Sequence, residues 1–413
     1  GSPNLSSLFA PLSKLNSLNL TSWDVSSAIS LSGLFANSTS VKAVDVSGWD
    51  VSKVTDLTSV FSGCSSLVTA DLTGWNPSRA SLLAGMFEGC VSLGSLDLSS
   101  WDVSAATDLS KLFSGCRSLS TLNLSGWNLP RAGGVSSMFS GCSALKTLNL
   151  SGWQISGTSN MTGVFTGLRS ASALDVSNWV ISGSPILSGI FAPISSLKTL
   201  DLSSWDVSKA TSLKGLLSGC VSLESVDVSG WDVSAVTDLS SVFSGCASLA
   251  SLDASHWNLA NIRSLSCIFS GCSSLTSLDL SSWNVSRVTD LSYAFSGCTS
   301  LRTLSLSGWD TSHVTSVAGM FSECKALSDL NLSACKASTA RQLLRALSAP
   351  AKLTSLHLEG VNAAGATDLS GMFQNLSSLT TLDLSGWDVS SVTDFSSMFA
   401  GCSSLESLSL GEW

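Results

Sequence analysis

The sequence is a 26-residue unit repeated along the chain, and this period limits the possible folds more than any other feature. All 14 Trp of the 413-residue chain lie one period, or a whole number of periods, apart. The phrase FSGCRSLSTLNLSGW at 113–127 returns as FSGCSSLTSLDLSSW at 269–283. Only Cys335 and Val361 occupy positions where the period calls for Trp. Because no insertion interrupts about 16 units, one small structural unit must be stacked along the chain.

Each unit contains a predicted strand. In residues 93–103, LGSLDLSSWDV, apolar and polar residues alternate around Leu96 and Leu98. Such alternation is typical of a short strand with one buried face. No single 26-residue unit can bury its apolar side, whereas stacked units share a continuous core. We therefore predict a parallel sheet on one face and a buried Trp core ladder that includes Trp49, Trp101, Trp153, Trp205, Trp231, Trp283 and Trp387.

A helical segment is predicted after each strand. Thr107 begins a Thr-Asp-Leu-Ser phrase whose short polar side chains can cap a helix. Leu109, Leu112 and Phe113 follow at i, i+3 and i+4, which places them on one helical face. Gly115 then suits the left-handed conformation that ends a helix. The pattern predicts short helical turns on the side of the solenoid opposite the sheet.

Several phrases resemble a known repeat family. The pattern L-x-x-L-x-L-x-x-W-x-V at 93–103 resembles the leucine-rich-repeat signature, with Trp where Asn or Cys usually stands. MFSGCSAL at 138–145 and WDVSAVTDLS at 231–240 resemble the BspA-like leucine-rich-repeat proteins of microbial cell surfaces. The resemblance covers essentially the whole chain and implies an α/β fold, a right-handed leucine-rich-repeat-like solenoid. It also implies a secreted or wall-attached, non-enzymatic protein often linked to adhesion, and it supplies no catalytic residues.

The domain organisation is predicted from the uniform repeats. We expect residues 1–413 to form a single continuous solenoid with a local irregularity at 333–363. Both ends look uncapped, because Leu5 is already in register and the sequence stops at Trp413, a core position. This predicts a piece of a longer protein or a unit that self-associates end to end. The alternative is that a poorly sealed end is tolerated.

Composition and motifs exclude several classes of function. Charged residues make up 12% of the chain and the net charge is −9, which argues against a nucleic-acid partner. Every apolar run is far too short to cross a bilayer, so no membrane span is predicted in this chain. Neither a G-x-S-x-G phrase nor a Walker loop nor a paired-carboxylate signature occurs, and we predict that the protein is not an enzyme.

A column of acidic residues four positions before the Trp column is the first candidate site. Stacked strands place these side chains about 4.8 Å apart, where like charges repel by roughly 1 kcal/mol in water. Bound Ca²⁺ or Na⁺, a cationic or sugar partner, or solvent alone can relieve this repulsion. Ca²⁺ is the one cofactor for which the sequence offers a candidate site. The aspartates of the column are Asp45, Asp71, Asp97, Asp175, Asp201, Asp227, Asp253, Asp279 and Asp383.

The irregular segment carries the second candidate site. Residues 325–352 contain a quarter of the chain's 20 Lys and Arg residues. One interpretation is a docking patch for an acidic partner, and the other is a drifted repeat whose better helix has a solvated face. The five basic residues are Lys325, Lys336, Arg341, Arg345 and Lys352.

Cysteine also recurs in register, three residues after Phe in ten repeats. Neighbours in this column are expected about 5 Å apart, within reach of a disulfide. The alternative is a column of buried thiols that pack as small hydrophobic groups. Cys267 lies outside the column, at a position where other repeats carry polar residues or Gly, and is predicted to be exposed. Metal binding through Cys and His is not expected, because the three His are scattered.

Three functions remain open from the sequence. The first is an extracellular or cell-surface protein with an adhesive or structural role, including filament formation. The second is a receptor-type ectodomain that recognises a protein or glycan on the strand side. The third is a periodic face that binds ice or mineral. Irregular side chains at a few neighbouring repeats would favour recognition, whereas a uniform column would favour a structural role.

Overall fold

The computed structural model describes residues 3–15, 18–20, 22–124, 126–155, 160–181, 187–192, 194–347, 352–361, 363–411 and 413. The chain divides into two compact units, residues 1–210 and residues 211–413. Each unit is a stack of 26-residue coils with parallel strands. The continuity of one solenoid over 1–413 stays a prediction.

Unit 1 contains seven three-residue strands and two two-residue strands. These are β1 (Ala43–Asp45), β2 (Thr69–Asp71), β3 (Ser95–Asp97), β4 (Thr121–Asn123), β5 (Thr147–Asn149), β6 (Gln154–Ile155), β7 (Ala173–Asp175), β8 (Val180–Ile181) and β9 (Thr199–Asp201). β1 pairs with β2, β6 pairs with β8, and β3, β4, β5 and β7 form a four-stranded sheet. All of these pairs are parallel, and their register advances by one full repeat from each strand to the next.

Unit 2 contains seven three-residue strands and one helix. These are β10 (Ser225–Asp227), β11 (Ser277–Asp279), β12 (Thr303–Ser305), β13 (Asp329–Asn331), α1 (Ala337–Arg345), β14 (Ser355–His357), β15 (Thr381–Asp383) and β16 (Ser407–Ser409). The strands β11 to β14 form a four-stranded parallel sheet in chain order, and β15 pairs with β16. The predicted leucine-rich-repeat-like solenoid with a parallel sheet is therefore confirmed. Over the described ranges, its three-residue strands are slightly fewer than one for every repeat.

Stacked aromatic side chains form the core behind the strands. All seven Trp of the predicted core ladder are buried, with 1–7% of each side chain exposed. Trp179 and Trp205 stack with ring centroids 5.2 Å apart. The Trp75 indole N–H donates to the backbone carbonyl of Val46 at 2.9 Å. A buried indole thus combines a large apolar area with one polar atom, which finds a carbonyl at Trp75 but has no hydrogen-bond partner among the described residues at Trp153 and Trp257.

The predicted helical turns on the opposite side are wrong. Residues 110–115 form consecutive turns, and Lys111 and Gly115 both have left-handed backbone angles, with φ of 57° and 77°. A residue with positive φ interrupts a right-handed helix. Thr107 is not a helix cap either, because its hydroxyl donates to the carbonyl of Ser81 in the preceding repeat at 3.0 Å.

Backbone hydrogen bonding explains why turns replace the helix. The N–H groups of Leu109, Lys111, Phe113 and Gly115 donate to carbonyls of the next repeat at 2.7–2.9 Å. Of the N–H groups between them, those of Leu112 and Ser114 donate to carbonyls three residues back, at 3.2 and 2.9 Å. The N–H group of Ser110 donates to the Asp108 carboxylate at 2.9 Å. Alternate N–H groups thus tie each coil to the next one. In an α-helix, all of these N–H groups would instead donate to carbonyls of the same repeat, four residues back.

The helix α1 marks the repeat in which Trp is replaced by Cys335. It buries Ala340, Leu343 and Leu344, each at most 4% exposed. Within the described ranges, α1 is the one helix of the chain. Unlike the turn segments, it keeps its hydrogen bonds local, as Ala340 N–H donating to the Lys336 carbonyl at 3.0 Å shows. The irregularity predicted at 333–363 therefore includes a true helix at a place where the core ladder loses an indole.

Candidate functional site on the strand face

The outer surface of the strands is the part of the fold that offers side chains to a partner. We call it the strand face and define it as the residues six, four and two positions before each Trp position. In β3, Ser95 and Asp97 are exposed, whereas Leu96 between them is buried. The strand face is therefore a polar layer over an apolar core.

The nine aspartates predicted as a binding column are all exposed on this face. They do not form an unbroken row. Asp45 lies beside Asp71 in register, whereas Asp279 lies beside Ser305. The repulsion expected between stacked carboxylates is therefore interrupted by neutral residues at several steps.

A local hydrogen bond engages each of these carboxylates. In all nine cases one side-chain oxygen accepts the backbone N–H of the residue two positions later, at 2.9–3.0 Å. The nine aspartates therefore shape the turn that follows each strand. Hydrogen bonds from Ser99 lower the pKa of the Asp97 carboxyl, and those from Ser385 lower the pKa of Asp383. These two side chains stay negatively charged to lower pH than an ordinary aspartate.

The strand face offers a metal ion only part of a coordination shell. Among the described residues, no group of three or more His, Cys, Asp or Glu side chains is arranged to bind a metal ion. One oxygen of each aspartate remains outside the local hydrogen bond, but Ca²⁺ takes six to eight oxygen ligands. Ca²⁺ on the aspartate column stays a prediction.

The five residues of the predicted basic patch do not form a single cationic surface. Lys325 pairs with Glu323 at 2.6 Å, and Lys336 pairs with Asp310 at 3.1 Å. Arg341, which lies in α1, pairs with Asp368 at 2.7 Å and is only 19% exposed. Arg345 and Lys352 are exposed. Acidic neighbours thus offset three of the five charges, and docking of an acidic partner here stays a prediction.

Eight of the ten column cysteines are buried inside the coils, and Cys324 and Cys402 are half-buried. All twelve cysteines of the chain are free thiols. The thiol of Cys64 donates to the Phe35 carbonyl at 3.1 Å, and Cys142 makes the same contact with Phe113. Burial raises the pKa of Cys64 to about 11 and that of Cys142 to about 12. These side chains act as small buried groups that each satisfy a backbone carbonyl of the preceding repeat.

We expect the thiol of Cys267 to react faster with thiol reagents than the thiols of the cysteine column. Cys267 is partly exposed on the turn side, whereas burial raises the pKa of Cys272 well above its usual range. Because the thiolate is the reactive form, we expect Cys267 to react first when the native chain meets a chromogenic disulfide reagent at pH 8. The variant Cys267→Ser should remove this first phase, and the control Cys272→Ser should leave it unchanged. A fast phase that survives in Cys267→Ser would contradict the assignment.

Three charged or titratable residues on the strand face, in β13, in β14 and just beyond β14, have no counterpart in the other repeats. Asp329 stands where the other repeats have Ser, Thr or Ala. His357 stands in the aspartate column, and Glu359 stands where the other repeats have Ser, Thr or Gly. The sequence-based prediction named only the aspartates of this column and did not connect His357 with Asp329 and Glu359. The signal for doing so was present, because all three departures fall on outward positions of two adjacent repeats.

These three side chains are in contact with one another. The Nε2 atom of His357 lies 3.1 Å from an Asp329 carboxylate oxygen, and its Nδ1 atom lies 3.7 Å from a Glu359 oxygen. The Ser333 hydroxyl donates to the other Glu359 oxygen at 2.6 Å. That hydrogen bond, more than the nearby imidazole, lowers the pKa of the Glu359 carboxyl. The cluster is polar, half-exposed and charged.

The arrangement around His357 does not resemble a nucleophilic triad. The Ser355 hydroxyl lies 3.1 Å from Nε2 of His357, which is the same nitrogen that faces Asp329. A general base must contact the nucleophile through one ring nitrogen and its orienting carboxylate through the other. Here Ser355 and Asp329 both face Nε2, and Glu359, the carboxylate on the Nδ1 side, lies 3.7 Å from that nitrogen, which is longer than a hydrogen bond. The carboxylate on the Nδ1 side therefore does not hold the imidazole in the way a triad requires.

A shallow groove joins this cluster to the strands before it. It has a volume of about 500 Å³ and runs over the faces of β11 to β14. Leu278 and Leu304 lie in its floor and are almost fully buried. Its polar lining consists of hydroxyl, amide, imidazole and carboxylate groups, among them Asp279 and Glu359. The groove can therefore form hydrogen bonds and ion pairs with a partner but offers little apolar surface.

The described residues contain no helix with the length and hydropathy that a membrane span requires.

Comparison with known sequences identifies a family. The family described as "Mycoplasma protein of unknown function, DUF285" matches residues 3–119, 55–179, 159–275, 184–299, 238–352 and 343–413. These overlapping matches extend over nearly the whole chain. No curated protein sequence matches it.

Solved leucine-rich-repeat structures are similar in part. A leucine-rich-repeat protein from Bacteroides ovatus is 17% identical with a TM-score of 0.46, over 79% of this chain and 87% of that one. A leucine-rich-repeat protein from Leptospira interrogans is 15% identical with a TM-score of 0.28, over 94% and 93%. An internalin from Listeria monocytogenes is 17% identical with a TM-score of 0.26, over 89% and 86%.

Proposed function

We propose that this chain, which belongs to the family described as "Mycoplasma protein of unknown function, DUF285", is a non-enzymatic binding protein that contacts its partner through the strand face. The partner is a protein or a glycan, and the role is adhesion at the outer surface of a cell. The narrower resemblance to BspA-like surface proteins, stated from the sequence, is part of this proposal.

One observation carries the proposal. The strand face presents exposed polar side chains at a fixed spacing, and the same strands are held from behind by buried leucines and tryptophans. Because the core fixes the backbone, these side chains need little further ordering when a partner binds. Rigid presentation lowers the entropic cost of association. Repeat solenoids commonly use such extended surfaces for binding.

The local departure in β13 and β14 favours recognition of a particular partner over a purely structural role. Repeated residues are explained by packing and by turn chemistry, but exposed residues that break the repeat have no such reason. Asp329, His357 and Glu359 are three breaks of this kind. A receptor-type ectodomain is accordingly the second candidate. A face that binds ice or mineral, and end-to-end assembly into filaments, have no comparable observation in their favour.

Shielding the strand face tests the proposal. In a Cys267→Ser background, Thr303→Cys places a thiol on the strand face of β12, and Thr299→Cys places one on an exposed turn of the same unit. Each variant is coupled to a maleimide polyethylene glycol chain, and beads coated with it are scored for attachment to cultured cells. We expect the chain at position 303 to reduce attachment severalfold or more and the chain at position 299 to leave it nearly unchanged. Equal losses, or no attachment by the unmodified protein, would refute the proposal.

A further inference from the structure

The strand face is strongly biased in charge. Over all 16 repeats its three columns contain no Lys or Arg. They contain eleven acidic residues, namely the nine aspartates of the middle column together with Asp329 and Glu359. The chain as a whole has 20 Lys and Arg against 29 Asp and Glu, so the face is far more acidic than the composition requires. A surface of one sign complements a partner of the opposite sign.

Within that face, β11 to β14 hold the acidic groups in a groove. Asp279, Asp329 and Glu359 line it together. Neighbouring strands are about 4.8 Å apart, so the groove extends roughly 14 Å across four strands, the length of about four residues of an extended peptide. Each ionised carboxylate can accept several hydrogen bonds, and the contacts described above leave part of that capacity open. Lysine and arginine carry three and five donors that suit such acceptors.

We propose that the groove over β11 to β14 binds a basic segment of a partner protein and places one lysine or arginine side chain between Asp329 and Glu359 and a second one beside Asp279. The inference rests on the proposed function and specifies the chemistry of the partner. Charge complementarity favours a basic polypeptide over a neutral glycan, because a glycan would satisfy the hydroxyls but not the three carboxylates. The shallow floor predicts a moderate affinity that falls steeply with salt.

His357 already occupies part of this site. Two carboxylates face the imidazole, Asp329 from β13 and Glu359 just beyond β14, and the next repeat carries Asp383 at the equivalent position. An incoming lysine or arginine must therefore share Asp329 and Glu359 with the imidazole.

Binding of fluorescein-labelled hexalysine to the full chain, followed by fluorescence anisotropy at low ionic strength, tests the proposal. The site variant is Asp329→Asn with Glu359→Gln. The control variant Asp45→Asn with Asp71→Asn removes the same charge from a regular part of the strand face. We expect the site variant to bind at least about tenfold more weakly at pH 7.5, since each charge-assisted hydrogen bond is worth about a factor of ten or more. The control should change the affinity less than about twofold to threefold. All the altered side chains are at least partly exposed, and circular dichroism checks that each variant is folded.

Equal losses in the site and control variants would overturn the proposal, as would wild-type chain that binds maltoheptaose in the groove but not hexalysine. If hexalysine fails to bind while shielding position 303 still reduces attachment severalfold, the basic-segment proposal fails and the proposed function stands. Site-specific hexalysine binding in a chain that fails the shielding test would instead refute the adhesive function and leave the basic-segment site in place.

Discussion

Replacing Trp205 by alanine should lower the free energy of unfolding of unit 1 by about 3–5 kcal/mol, the usual cost of emptying a large buried aromatic site. Trp205 is 1% exposed, and its ring lies 5.2 Å from Trp179 and 5.5 Å from Phe191 between centroids. Its indole N–H also donates to the Val176 carbonyl at 3.0 Å. The substitution therefore removes stacking area on both neighbours and leaves a buried carbonyl without its donor.

Urea unfolding of the full chain followed by far-ultraviolet circular dichroism measures this loss. Trp205→Phe keeps a ring in the ladder but removes the N–H donor, so its loss should be clearly smaller. Val68→Ala serves as the control, because Val68 is 48% exposed in the same unit and should change stability by less than about 0.5 kcal/mol. If Trp205→Ala proved as stable as Val68→Ala, the Trp column would not be the core of the coil.

The period of the repeat made the strands, the stacking and the core predictable. Leu96, Asp97 and Leu98 alternate because a strand has two faces, and the structure buries Leu96 and exposes Asp97. Register followed from the equal repeat length, since parallel strands one period apart must pair at equivalent positions. Trp101 is buried at 4% exposure because no coil can cover its apolar side alone. These features depend only on which side chains are buried away from water, and the periodic spacing of apolar residues in the sequence indicates those side chains directly.

The helical turns could not be predicted in this way, because the spacing of apolar side chains does not show where backbone N–H groups donate. Leu109, Leu112 and Phe113 fit a helical face and also fit two consecutive turns. What decides between them is that Leu109 and Phe113 donate to the next repeat. One signal in the sequence did argue against a helix. Seven of the 16 repeats carry Gly two residues before the Phe position, as at Gly85, and Gly inside a helix is unfavourable.

Only part of the candidate site could be predicted from the sequence. Asp279 belongs to a column that recurs throughout the chain, so the sequence alone could not distinguish turn chemistry from binding. In the structure its carboxylate accepts the Ser281 N–H at 3.0 Å, which accounts for the recurrence. Asp329 and Glu359 recur nowhere in their columns and were not included in the predicted site. In a chain of near-identical repeats, an exposed residue that differs from its counterparts in the other repeats is therefore a stronger indication of binding than a residue that recurs in every repeat.

Substituting Gly271, which lies on the turn side, should also lower the free energy of unfolding strongly because of its backbone geometry. Its φ is 77°, a left-handed angle at which a branched side chain is strained by about 1–3 kcal/mol. A Cβ atom added there would lie 3.4 Å from the Cα of Gly245 in the preceding repeat. The Gly271 N–H also donates to the Ser296 carbonyl of the following repeat at 2.6 Å, so the residue cannot shift without breaking the ladder.

Gly271→Val should therefore lower the free energy of unfolding of unit 2 by at least about 2–4 kcal/mol, as strain and close approach add. Gly271→Asn should cost much less, because Asn375 occupies the equivalent position with φ of 65° and Asn tolerates that angle. Gly386→Ala is the matched control in the same unit, since an added Cβ there meets nothing within 4 Å. Urea unfolding of the full chain should rank stability as Gly386→Ala above Gly271→Asn above Gly271→Val. A Gly271→Val chain as stable as Gly386→Ala would contradict this expectation. It would mean that the hydrogen bonds between repeats on the turn side do not hold neighbouring coils at this distance. Those hydrogen bonds could then no longer explain why turns replace the helices.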